Sequence, residues 1–274
     1  MKKIFFIFIL IFLGCSKENF NKVENLENFR ILAIISSAPE VAALGNSTLS
    51  LLISDRRGGG RVISGTVKLC FDPGISLGAE VSCDHDPQTI TSSYSIDTIN
   101  DVDLGAANLY TGLAANTVSV TVPSTVFLGR NEREQFNGVS YIALFLFQVD
   151  GHTIKSFKRI TATNRGDFNT NPTIGSMKLN GAAISIRPVK GDKLSISASL
   201  PQSFSYQTID GVKEIRTEKS EVAWYVSEGG LSKAKATTSE AVEYKTNPPS
   251  GTEVIVAVLR DDRGGVSYFR EVLP

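Results

Sequence analysis

Four short stretches bring together side chains that could do chemistry. Gly74-Ile75-Ser76-Leu77-Gly78 fits G-x-S-x-G, in which a tight strand-to-helix turn lifts a serine nucleophile towards an Asp and a His. Cys83-Asp84-His85-Asp86 sets thiol, imidazole and carboxylate side by side, three ligand types for a metal. Asn100-Asp101-Val102-Asp103-Leu104-Gly105 is rich in the oxygen ligands that calcium prefers. Arg165-Gly166-Asp167 places opposite charges on either side of a glycine. Asp-Arg-Gly-Gly clusters recur as Asp55-Arg56-Arg57-Gly58 and Asp261-Asp262-Arg263-Gly264-Gly265, suited to a phosphate cradle, a cation, a partner or a plain turn.

The surroundings decide among these. Ser76 follows Pro73 and lies between Cys70 and Cys83 in a chain without βαβ alternation, with only His85 and His152 as bases. That makes it a surface loop first and a serine hydrolase only as a remote alternative. Neighbours in a strand or loop diverge, and no CxxC or HxxxH spacing backs a metal shell around His85. In an oxidising compartment Cys70 and Cys83, 13 residues apart, read instead as a disulfide. The 100–105 stretch lacks the Asp spacing and downstream Glu of an EF-hand, and reads as a solvated turn. No helix follows either Asp-Arg-Gly-Gly cluster for a phosphate to cap, so both read as hairpin turns. No catalytic residue, cofactor or metal ligand is expected.

The N-terminus sets the compartment. Lys2 and Lys3 precede the apolar run Ile4 to Leu13, and Gly14-Cys15 follows, the pattern of a secretory signal (1–14). Ten apolar residues cover about 15 Å as a helix, half a bilayer core, so the run does not span. Loss of Lys2 and Lys3 leaves 26 basic against 28 acidic residues, a net charge of −2. Such a balance offers no field for nucleic acid or for anionic lipid. The polar segment 15–27 reads as a flexible tether.

Downstream, period-2 alternation and turn residues recur, and 15 Phe, 7 Tyr and abundant Val, Ile and Thr suit strands. Leu194, Ile196 and Ala198 fall on one face of their strand, as do Val222, Trp224 and Val226 of theirs, with Trp224 a core anchor. The plan of 139–160, strand, Asp-Gly turn, strand, repeats in 252–272. The expected organisation is a module over 28–163, enlarged by a disulfide-bearing insertion, a linker over 164–172 and a second module over 173–274. Tyr141 to Phe147 and Val254 to Leu259 are apolar on both faces, where a sandwich strand needs one; the other module, a long loop or a partner must cover the second face, the first two in preference to a partner. The mixed charges of Lys213-Glu214-Ile215-Arg216-Thr217-Glu218-Lys219 read as solvated-loop or edge-strand charge, which also blocks edge-to-edge association.

Phe12-Leu13-Gly14-Cys15 resembles the lipobox of bacterial lipoproteins, in a relaxed form similar to that of spirochaetes, with Phe12 where Leu is usual. The resemblance implies cleavage before Cys15 and a lipid on its sulfur. Arg30-Ile31-Leu32-Ala33-Ile34, Pro39-Glu40-Val41, Val222-Ala223-Trp224-Tyr225-Val226 and Leu259 to Gly265 are similar to segments of bacterial lipoproteins with tandem immunoglobulin-like, PKD-type modules. The first module departs from that pattern at Val67-Lys68-Leu69, where a core Trp is typical. The implied fold is all-β: two tandem immunoglobulin-like β-sandwiches after a signal and tether. Arg165-Gly166-Asp167 resembles the integrin-binding tripeptide of adhesive proteins. With Arg56 and Arg57 it makes up the candidate binding loops.

These readings describe a non-catalytic lipoprotein of the cell envelope, at the outer membrane or cell surface in preference to the periplasmic face. Its partners would be the membrane, through Cys15, and a protein or matrix component, not nucleic acid.

Overall fold

The computed structural model describes residues 26, 29–55, 62–72, 80–97, 108–110, 117–248 and 251–274. Cys15, Arg56, Arg57, Ser76 and the stretch 100–105 lie outside them, as does the signal. No helix among the described residues is long and apolar enough to cross a membrane.

The alternating segments form strands. The first half gives β1 (Arg30–Ser36), β2 (Glu40–Val41), β3 (Asn46–Asp55), β4 (Val62–Phe71), β5 (Ile90–Asp97), β6 (Asn108–Tyr110), β7 (Thr117–Thr121), β8 (Val139–Val149) and β9 (His152–Ala162). A short helix, α1 (Glu132–Asn137), precedes β8 and is fixed by a capping box between Asn131 and Glu134. One sheet holds β1, β3, β6 and β7, and the other runs β2-β9-β8-β4-β5 with β2 parallel to β9. This switch of the first strand between sheets, with two sheets face to face, is an immunoglobulin-like arrangement. The β8–β9 turn puts Asp150 and Gly151 at φ 52° and 79°, the mirror-image turn whose twist suits a two-residue hairpin.

The second half repeats the plan with β10 (Ile174–Leu179), β11 (Ala182–Ala183), β12 (Lys193–Ala198), β13 (Ser203–Gln207), β14 (Lys213–Thr217), β15 (Ser220–Val226), β16 (Gly230–Leu231), β17 (Lys235–Thr237), β18 (Val242–Thr246), β19 (Glu253–Asp261) and β20 (Val266–Leu273). Its sheets run β11-β10-β12-β18-β16 and β17-β15-β19-β20, and β13–β14 stands apart as a two-stranded hairpin. The chain is thus an all-β protein of two tandem immunoglobulin-like sandwiches.

Each sandwich has its own core. Trp224, 1% exposed, anchors the second among Val222, Val226, Tyr244 and Ala257. Where the first lacks a Trp, Phe145 and Phe147 fill the space, with Tyr94 edge-on at 5.8 Å from Phe145 and Phe29 at 6.3 Å from Phe147. Their burial contributes roughly 2 to 3 kcal/mol per ring. The second core also holds a carboxyl: Glu253, fully buried, accepts a bond from the Tyr244 hydroxyl at 2.9 Å.

The two doubly apolar strands are covered differently. The outer face of β8 (Ile142, Leu144) lies under the Cys70–Cys83 disulfide together with Val81. The outer face of β19 (Val254, Val256, Val258) packs on Leu32, Ala33 and Leu52 of β1 and β3, with Leu26, Ala223 and Val266 around them. A loop covers one and the neighbouring sandwich the other. The sandwiches therefore lie side by side. Leu26 enters at one end of this seam, its N–H bonded to Val226 O at 3.1 Å and its carbonyl accepting from Ser54 Oγ at 3.4 Å.

Candidate functional site at the seam between the sandwiches

The other end of the seam gathers the charged motifs. Glu40, on β2, is 4% exposed and receives Arg165 Nη2 at 2.6 Å, the Asn169 N–H at 2.9 Å and the guanidinium of Arg263. Arg263 also donates to Glu218 Oε1 at 3.2 Å and to the Asp167 carbonyl at 3.1 Å. Both guanidiniums lie over the Phe204 ring, Arg263 at 4.3 Å and Arg165 at 5.3 Å from its centroid. Planar forks that stack and bridge two carboxylates suit Arg and not Lys. Burial pushes the Glu218 carboxyl above its ordinary range, against the pull of the Gln202 N–H and Arg263.

The turn that carries Arg263 is held from inside. Asp261 accepts from Asn169 Nδ2 at 3.2 Å, from the Arg263 N–H at 2.9 Å and from the Gly265 N–H at 2.7 Å. Gly265 is required by space: a Cβ there would meet Asp261 Oδ2 at 2.1 Å and Pro172 Cδ at 2.9 Å. The folded turn sits against the open edge of the first sandwich, where β1 and β9 part. Lys158 of β9, 6% exposed, donates to Gly264 O, and Arg260 donates to Leu32 O. Desolvation lowers the Lys158 ammonium to about 8, with Asp261 opposing the shift and Arg260 adding to it. Between these groups remains a cleft of about 510 Å³, lined also by Ser140, Ser156 and Thr161.

Of Arg165-Gly166-Asp167, Gly166 and Asp167 are exposed, but Arg165 is buried and does not stand free as an exposed recognition loop would have it. The Arg165 side chain is 3% exposed. Its Nη1 donates to Ser205 O at 2.9 Å while Asp167 Oδ2 accepts from Ser205 N–H at 2.7 Å. The tripeptide thus grips both main-chain groups of one residue on the free edge of β13, in the manner of a neighbouring strand. Asn137 does the same two residues on, donating to Gln207 O at 2.7 Å and accepting from its N–H at 2.8 Å. Burial works against ionisation of Asp167, yet the Ser205 N–H and Arg165 hold its carboxyl below the ordinary range.

The other sequence candidates are accounted for locally. Cys70 and Cys83 form the disulfide. Asp84 pairs with Lys68 at 3.0 Å, Asp86 accepts from the Phe71 N–H at 2.8 Å, and His85 Nε2 lies 3.1 Å from Phe71 O. The ligand types of this stretch therefore diverge onto separate partners. Sequence reasoning missed Glu40, Glu218, Asn169, Phe204 and Lys158. The available signal was a charge on the core-facing side of an apolar strand, as Glu40 before Val41 and Lys158 between Ser156 and Ile160.

No family model matches the chain, and no curated protein does. Among solved structures, it is similar to the fibronectin(III)-like modules of Clostridium thermocellum CbhA, at 14% identity over 89% of this chain and 91% of that one, with a TM-score of 0.26. Latent PorU of Porphyromonas gingivalis is similar at 9% identity and a TM-score of 0.23, and Salmonella alpha-2-macroglobulin (mutant Y1175G) at 9% and 0.26. The chain matches 24% of the former's length and 17% of the latter's. At such TM-scores none of these likenesses carries an argument.

Proposed function

We propose that this is a non-catalytic lipoprotein of the cell envelope whose two sandwiches act as one stiff body that presents binding surface to a protein or matrix partner. The observation that carries the reading is the seam. An apolar face and a buried network of Glu40, Arg165, Arg263 and Glu218 join the modules, so neither swings freely on its linker. Tandem sandwiches held this way position loops at fixed distances, which suits presentation and support more than chemistry. The lipobox resemblance at Cys15 supplies the anchor. Leu26, where the described body begins, is fixed between both modules, so tension from a lipid at Cys15 would load the two together.

Lipid-precursor labelling of the full chain tests the anchor, with label expected in the native protein and lost in Cys15→Ala. External protease on intact cells then tests the orientation, with cleavage expected for outward presentation. Protection until the envelope is opened would replace this reading with a periplasm-facing structural role. Labelling of Ser76 by a fluorophosphonate would overturn the non-catalytic assignment.

A further inference from the structure

The β13–β14 hairpin is gripped on one side only. Ser205 and Gln207 give their main-chain groups to Arg165, Asp167 and Asn137, away from β14. In the register Ser205↔Ile215 and Gln207↔Lys213 these are the non-hydrogen-bonded pairs of the ladder. Lys213, Ile215 and Thr217 must then point their own N–H and C=O groups out of the opposite edge, where no described residue meets them. The edge is open: Ile215 is 71% exposed and nearby Val212 62%. An unpaired strand edge with an exposed apolar centre is a template for another strand.

The charges say which strand fits. Glu214 and Arg216 flank Ile215 on the same face, held by their 2.5 Å ion pair and by the Arg216 guanidinium over Tyr206 at 3.4 Å. Laid antiparallel on itself about Ile215, the strand sets Glu214 opposite Arg216 of a second copy, Arg216 opposite Glu214, and Lys213 opposite Thr217. Glu214 and Arg216 each meet their opposite charge, Lys213 meets no like charge, and the two isoleucines meet at the axis. The mixed charge that reads as a block to edge pairing is thus self-complementary in this one register. We propose that β14 is a self-association edge, on which a second copy of this chain adds its own β14 antiparallel across a two-fold axis through Ile215. The sheet so formed runs β13–β14–β14–β13, an isologous contact that closes on itself. It does not depend on the anchor at Cys15.

Site-directed cross-linking of the full-length chain in detergent tests this. Facing residues of a hydrogen-bonded antiparallel pair have Cα atoms about 5.5 Å apart, within disulfide reach. Ile215→Cys should therefore yield a disulfide dimer under mild oxidation. Ile209→Cys, equally exposed at the hairpin turn but off the axis, should not. Adding either Glu214→Arg or Arg216→Glu to Ile215→Cys sets like charges opposite each other twice and should lower the yield about tenfold. Adding both together should restore it. Cross-linking of Ile215→Cys no greater than that of Ile209→Cys overturns the proposal. So does a yield that ignores the single reversals, which would mark chance collision, or capture of a different protein at Ile215→Cys.

Discussion

Glu40 balances two guanidiniums in a place where water cannot help, and the energetics of the molecule turn on such single groups. Replacing one partner of a buried network leaves the others charged and unpaired, at a cost of about 3 to 5 kcal/mol. Glu40→Ala should therefore lose stability on that order in urea unfolding, and Arg263→Ala should do likewise. The exposed Asp84, by contrast, should be replaceable by Asn without measurable change, because solvent screens its pairing with Lys68. Asp167→Glu should lower the melting temperature by lengthening its reach to Ser205, and leave any cell adhesion untouched. Glu253 gives the opposite lesson. Burial, partly offset by the Tyr244 bond, raises its carboxyl to about 7 from an ordinary 4.5. The folded state then holds a proton that the unfolded state releases between pH 4.5 and 7, so this group's contribution to stability falls as pH rises through that window, by about 3 kcal/mol. Glu253→Gln should exceed the native protein in stability at pH 8 and converge with it near pH 4.5. Melting curves of the two across that range check the sign.

At the scale of elements, the β19–β20 turn is both plug and clasp. Gly265→Ala would drive a methyl into Asp261 and Pro172, and should cost about 1 to 3 kcal/mol. The strands themselves were legible in the alternation of residues such as Leu194, Ile196 and Ala198. Trp224 was legible as a core anchor, and Tyr141–Phe147 and Val254–Leu259 as strands needing a cover on both faces. Which cover each would take was not legible. Leu32, which covers β19, lies far back in the chain, and no local pattern in Val254–Leu259 points to it. The Asp261–Gly265 cluster was legible as a hairpin turn, but the partners of the arginines were not, for the same reason. Arg165 meets Glu40 across 125 residues and Arg263 meets it across 223, so each looks solvent-bound when read locally. The disulfide was readable because it closes over only 13 residues. Its removal by paired Cys70→Ser and Cys83→Ser should cost about 3 kcal/mol on the chain-entropy model and uncover Ile142 and Leu144. Urea midpoints and binding of a hydrophobic dye read the two effects separately.

For the molecule as a whole, the seam predicts that the two sandwiches unfold together. Val256→Asp would bury an unpaired carboxylate among Leu32, Ala33 and Leu52 and should release that coupling. Calorimetry of the native chain is then expected to show one transition, and that of the variant two. An unlatched variant would also have a larger radius of gyration in solution scattering.

The long loop between Glu40 and Arg263 has a bearing on how such a chain is made. β2 emerges early in synthesis, but the second of the two arginines on its glutamate comes almost last. Until then the first sandwich has an uncapped flank, and its carboxylate has Arg165 and Asn169 but not the second guanidinium. A ribosome that stops short of the final hairpin leaves a product whose defect is already exposed to proteases, so completion of the polypeptide and completion of its structure become one event.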